Sequence, residues 1–169
     1  DTWALLFLLQ CPELEVKLIT VSTDDTTYRA KIVAKILQLT NNMEIPIGIG
    51  KFQKKSAGGQ KLWLKNFELS KYPGKIYADA AQAIVDTINA SLEPITLIGI
   101  GPLTTIAEAL QKDSTITKKT RFIGMIGSVR KGYNGSPKPA AEYNVVKDVS
   151  ACQKVFAADW AISITPTDT

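Results

Sequence analysis

Short apolar runs rich in β-branched residues alternate with stretches of helical period along nearly the whole chain, and this alternation restricts the fold to the α/β class. The runs at 15–21, 45–50, 95–100, 121–126 and 161–165 read as strands. Helical patterns occupy 2–9, 28–39, 78–90, 103–111 and 145–158. In the second of these, Ala30, Ile32, Val33, Ile36, Leu37 and Leu39 supply one broad apolar face. Strands joined through helices run parallel, because the crossover brings the chain back to start the next strand at the same end. The expectation is an open, mostly parallel sheet with helices on both faces and a Rossmann-like core, as a single α/β domain over residues 1–169. Residues 51–75 interrupt the pattern with lysines, Gly58-Gly59, Trp63 and the turn Tyr72-Pro73-Gly74. A connection is usually about five residues, so this stretch reads as an ordered excursion or lid. The apolar run at 2–9 follows directly on Asp1, and 161–165 leads into a turn without a further helix. The chain is therefore expected to be an internal fragment of a longer domain, incomplete at both ends.

Several chemistries drop out. The sequence contains no histidine, which removes Ser–His–Asp triads, Cys–His dyads and histidine-ligated metals from these residues. Cys11 and Cys152 are the only cysteines and are far apart, so neither a zinc motif nor a disulfide framework is present, and both read as buried thiols. What remains is carboxylates, hydroxyls, amides, lysines or an oxygen-ligated metal. The net charge of +4 comes from scattered residues, KFQKK at 51–55 being the densest cluster, so no nucleic-acid partner is expected. No apolar run approaches the ~18 residues of a membrane span. Compartment is left open, with the cytoplasm as the expectation.

In open α/β sheets ligands bind where loops leave the carboxyl ends of strands. Residues 121–144, RFIGMIGSVRKGYNGSPKPAAEYN, have that form: an apolar strand, a glycine-bearing polar loop, then Glu142 and Asn144 where a helix begins. Small or apolar neighbours, Ala140-Ala141 and Val145-Val146, argue against a freely solvated stretch there. The strand at 95–100 delivers a second exit, Gly99-Ile100-Gly101-Pro102-Leu103-Thr104. Taken alone, Asp1 and Thr104 also suit ordinary helix caps, Asp24-Asp25 a turn, and Met125 a core filler.

The ordered set EVKLITV at 15–21, IPIG at 45–48, GPLT at 101–104, GMIGSV at 124–129 and AEYN at 141–144 resembles the calcium-dependent, inosine–uridine-preferring nucleoside hydrolases. TTYRAK at 26–31 and KYPGKIY at 71–77 resemble one subgroup of that family, and the likeness runs through almost the whole chain. The resemblance implies hydrolysis of the N-glycosidic bond of ribonucleosides, with Ca2+ as cofactor, a ribonucleoside as small-molecule partner and a homo-oligomer, dimer or tetramer, as the assembly. Asp1 corresponds to the last aspartate of the family's D-x-G-x-D-D loop, a calcium ligand. Thr104 corresponds to a threonine whose backbone carbonyl ligates the metal. The general base would precede Asp1, so no catalytic residue is expected within this chain. The family's later aspartate ligand and histidine would follow Thr169.

For the substrate, the resemblance places Asp25 where an asparagine meets ribose hydroxyls, with Asp24 standing for the family's glycine. Met125 falls under the sugar, and Glu142 and Asn144 match the pair that hydrogen-bonds the ribose. Asn134 and Ser136 both sit near the position of a further asparagine. An oxocarbenium-like sugar is helped by acceptors around its hydroxyls and a polarisable surface beneath its ring. Calcium takes about six to eight oxygen ligands, which carboxylates, carbonyls, water and sugar hydroxyls can provide. A non-catalytic ribose- or nucleoside-binding member of the same fold is the alternative, motivated by the altered Thr23-Asp24-Asp25 loop. A dinucleotide-binding domain fits less well, because no G-x-G-x-x-G follows the first strand.

Overall fold

The protein is seen in a computed structural model that describes residues 1–55 and 58–169. Residues 56 and 57, part of the expected excursion, lie outside the described residues. The chain divides into two compact units, Asp1–Ile84 and Val85–Thr169. Each carries its own three-stranded sheet, and every strand pairing described is parallel. The α/β expectation holds.

The first unit contains α1 (Thr2–Leu9), β1 (Ile19–Val21), α2 (Thr26–Leu39), β2 (Ile47–Ile49), β3 (Ile76–Tyr77) and the start of α3 (Ala80–Ala90). Its strand order is β1-β2-β3, with Ile19 opposite Ile47 and Ile47 opposite Ile76. Pro46 precedes β2, so its missing N–H costs no ladder bond, while its carbonyl accepts from Ile19 N at 3.1 Å. Ala30, Val33, Ala34 and Leu37 of α2 share a core with Val21, Ile45, Ile47 and Tyr72. Asn41, at φ 55°, provides the left-handed residue that stops α2. At Gly48 a Cβ would lie 3.1 Å from Ala80 Cα, so α3 begins against β2 at a spot that a side chain would crowd.

Strand β1 is shorter than the apolar run that announces it, and β3 was not expected, two residues being too few to show an alternation. The excursion at 51–75 is fastened to α2. Tyr28 Oη accepts from Gln60 N at 3.0 Å and donates to Gln60 Oε1 at 3.2 Å. The Lys35 ammonium lies 4.6 Å from the centroid of the Trp63 ring and also bonds the Trp63 carbonyl. Helix α1 buries none of its residues, although Leu5 and Leu9 touch the core.

The second unit holds the rest of α3, then β4 (Ile95–Gly99), α4 (Thr104–Lys112), a 3-10 segment (Ser114–Lys119), β5 (Thr120–Gly124), α5 (Tyr143–Lys147), α6 (Val149–Ala157) and β6 (Ile162–Ile164). Strand order is β4-β5-β6. Phe122 is fully buried at its centre and stacks on Trp160 with ring centroids 5.8 Å apart. A Cβ at Gly99 or Gly124 would fall within 2.9 Å of the Phe122 ring, so these strand glycines are the space the ring occupies. Leu103, Ile106, Ala107, Ile126, Ala151, Cys152 and Val155 complete the core.

Two boundaries differ from expectation. Strand β5 ends at Gly124, so Met125 and Ile126 lie beyond it rather than inside it. The single helix expected over 145–158 is two, broken at Asp148 (φ −157°, ψ 81°), whose carboxylate accepts from Ala151 N at 2.9 Å and caps α6. The cap requires a non-helical backbone, and apolar periodicity runs straight through it. Both cysteines are free, but only Cys152 is buried. No helix among the described residues is long and apolar enough to cross a membrane.

Truncating Phe122→Ala should destabilise the full-length protein by about 3–5 kcal/mol, since the cavity between two glycines and Trp160 has little to fill it. Denaturant unfolding measures this directly.

Candidate functional site

The polar knot at the carboxyl end of β5 is built from Met125, Glu142 and Asn144. Glu142 is 3% exposed and precedes α5 as its cap. Its Oε1 accepts from Asn144 N at 2.9 Å, and its Oε2 accepts from Gly127 N at 3.0 Å and Val145 N at 3.2 Å. A carboxylate offers roughly four acceptor positions, so one remains for another donor. Two of these bonds stabilise the first turn of α5, and the third ties the start of the loop to its end. Gly127 has φ 84°, a left-handed conformation that suits glycine, and this turns its N–H toward Glu142.

Asn144 is also buried. Its Nδ2 donates to the Met125 carbonyl at 2.9 Å and lies 3.7 Å from the Met125 sulfur. That orientation leaves the amide oxygen as an acceptor. The Cys152 thiol lies 3.9 Å from the Asn144 carbonyl. Burial first, and then the charges of Asp148 and Glu142, push the Cys152 thiol above its ordinary pKa, which keeps it an inert thiol.

Asn134 and Ser136 occupy an exposed part of the same loop. Asn134 has φ 57°, and Ser136 Oγ accepts weakly from Lys138 N at 3.4 Å. Neither hydrogen-bonds Glu142 or Asn144. Thr104 opens α4, and its hydroxyl donates to Asp148 Oδ2 at 2.7 Å, so the backbone carbonyl is what it could offer a metal.

In the first unit, Asp1 precedes α1 without a side-chain cap bond, so its exposed carboxylate is not spent on its own helix. Asp25 does cap α2, its Oδ1 accepting from Tyr28 N at 2.9 Å. Thr23 and Asp24 both have positive φ, 65° and 50°, so the loop keeps a glycine-like path without glycine. Asp24 is buried, with Arg29 and Lys54 each 3.8 Å from its carboxylate, and its carbonyl accepts from Gln53 N at 2.9 Å. Carboxylate and carbonyl oxygens of the Asp1 and Thr104 kind suit a hard cation. Among the described residues no group of three or more His, Cys, Asp and Glu side chains could hold a metal ion.

Two carboxylates escaped the sequence reading. Asp148 holds Thr104 while capping α6. Asp168 accepts from the N–H groups of Val129, Arg130 and Lys131 at 2.9, 2.5 and 3.0 Å. Only an aspartate in a Thr-Pro-Thr-Asp-Thr turn signalled the latter, and such turns are common.

The chain belongs to the family described as inosine-uridine preferring nucleoside hydrolase, whose model matches residues 1–169. It is 28% identical to uridine nucleosidase 1 of Arabidopsis thaliana over 97% of its own length and 52% of that protein. With the non-specific ribonucleoside hydrolase RihC of Klebsiella pneumoniae it shares 32% identity, over 92% of this chain and 54% of that one. Its fold is similar to that of the plant nucleoside hydrolase PpNRh1, with a TM-score of 0.80 and 25% identity over 98% of this chain and 56% of that structure. The chain thus spans about half the length of the curated relatives it matches.

Replacing Glu142→Gln puts an NH2 donor against backbone donors, and should cost about 2 kcal/mol by denaturant unfolding. The N–H of Val129, and then those of Arg130 and Lys131, hold the Asp168 carboxyl below the usual carboxylate range. A depressed folded pKa means that the contribution is present above the unfolded value and is lost as pH falls through the folded one. The amide resonances of 129–131 should therefore titrate below the ordinary aspartate range, as NMR would show.

Proposed function

We propose that the full-length protein hydrolyses the N-glycosidic bond of ribonucleosides to ribose and free base with calcium assistance. The observation that carries this reading is the Met125–Glu142–Asn144 knot, in a chain whose whole length matches the nucleoside hydrolase family. Relatives named for uridine and for ribonucleosides in general support the substrate class.

The residues divide the work by what each atom has left to give. The remaining acceptor position of Glu142 and the amide oxygen of Asn144 take hydrogen bonds from ribose hydroxyls. Asp25, with Oδ1 committed to α2, keeps Oδ2 as an acceptor for a sugar hydroxyl. Acceptors at the hydroxyls become more valuable as the sugar gains positive charge, which is the condition for lowering a barrier and not merely binding. The Met125 thioether provides a polarisable surface beneath the ring. Asn134 and Ser136 are the candidates for closing over the sugar from the loop. The Asp1 carboxylate and the Thr104 carbonyl are each assigned an oxygen-donor role toward calcium, a cation that prefers such ligands. Calcium held by such donors would supply Lewis-acid activation of a water. We assign no general base to these residues, and we take the active assembly to be a homodimer or homotetramer.

The Thr23-Asp24-Asp25 loop favours a second reading, a nucleoside- or ribose-binding protein without turnover, because Asp25 already serves as a cap. One assay separates the two. Full-length protein should release ribose from uridine or inosine, and a calcium chelator should abolish the release, with restoration on adding calcium back. Binding of nucleoside without calcium-dependent release establishes the second reading instead.

A further inference from the structure

The loop that carries Asn134, Ser136 and Glu142 is anchored at its start by a residue that has no place in the proposed sugar contacts. Three successive N–H groups, those of Val129, Arg130 and Lys131, converge on the Asp168 carboxylate. They can do so only if the backbone curls around that side chain. Adjacent bonds extend the seam. Thr165 N donates to Gly124 O at 2.9 Å, Thr167 N to Gly127 O at 3.0 Å, and Thr167 Oγ1 to Lys131 O at 2.6 Å. Within the loop, Ser128 Oγ accepts from Ala140 N at 2.9 Å and donates to Lys131 O at 2.8 Å, so the near and far limbs are linked. Glu142 then takes the Gly127 N–H from the far limb. Between them, Asp168 and Glu142 hold the N–H groups of residues 127, 129, 130 and 131.

We propose that Asp168 is a positioning residue of the substrate loop, which sets the backbone of 127–131 so that Glu142 and the loop crest are presented to the ribose. This rests on the hydrolase reading and deepens it. Asp168 lies outside the buried apolar core of its unit, so its removal loosens the loop without emptying the core. Glu142 depends on it through shared geometry: the Gly127 N–H that occupies Oε2 is aimed by the segment Asp168 grips. If that segment drifts, the acceptor left for the sugar drifts with it.

The test uses the full-length protein, wild type beside Asp168→Ala and Asp168→Asn, with uridine and inosine as substrates. Asp168→Ala should raise KM about tenfold while kcat stays within about threefold, the signature of lost positioning. Amide exchange over residues 127–133 should quicken by about tenfold or more, with β4 and β5 unchanged. Asp168→Asn retains one carbonyl oxygen able to accept two of the three N–H groups, and should fall between wild type and Asp168→Ala in both readouts. An unchanged KM in an active protein overturns the proposal. So does unchanged exchange at 127–133, or exchange that quickens equally through β4 and β5. A wild type that releases no ribose defeats the hydrolase reading, and the positioning role with it, and the wild-type control distinguishes that result from the others.

Discussion

Carboxylates gripping backbone N–H groups are the interaction on which the loops of this protein depend. Strand pairing satisfies the backbone only between residues a few positions long, and the connections that leave the strands need other partners. Glu142 takes three N–H groups, Asp168 three, and Asp25 and Asp148 one each at the starts of α2 and α6. Hydrogen bonds to a charged acceptor contribute roughly 1.5–3 kcal/mol against about 1 for a neutral pair, so few of them suffice to fix a loop. Burial of Glu142 would be costly for a bare carboxylate; three converging donors offset the lost hydration.

The core makes those loops meet at a defined place. Phe122 fills the space left by Gly99 and Gly124 and stacks on Trp160, which locks β4, β5 and the approach to β6 into register. With the register set, the exits of β5 and β6 lie side by side, and Thr165 and Thr167 can zip onto Gly124 and Gly127. A rigid sheet thereby supports a polar site made almost entirely of loop and cap residues, the usual division of labour in α/β proteins. Committed carboxylates such as Asp168 and Asp148 hold the frame. By contrast, the Asp1 carboxylate makes no cap bond to its helix, and Asp25 and Glu142 each keep an acceptor position beyond their cap bonds.

Much of this was readable beforehand. The alternation of patterns identified the α/β class, and the flanking alanines and valines marked Glu142 and Asn144 as enclosed rather than solvated. The ordered motifs pointed to the nucleoside hydrolases. The misses share a cause. Strand β3 is too short for periodicity to register, and the break at Asp148 is hidden because apolar spacing continues across it. The end of β5 at Gly124 is set by its partners and not by its own apolar run. Asp168 is not legible in the sequence, because a lone aspartate in a proline-containing turn has no local signature of what it will bind.

By itself the sequence determined which segments become strands and helices, since propensity and apolar period act over a few neighbouring residues. It also determined which chemistry is open to the chain, the lack of histidine leaving oxygen donors. Only the tertiary structure decided which acceptors are used up and which stay available. That depends on N–H groups brought together from residues up to 39 positions apart, as Val129 is from Asp168, and such distances leave no trace in local pattern.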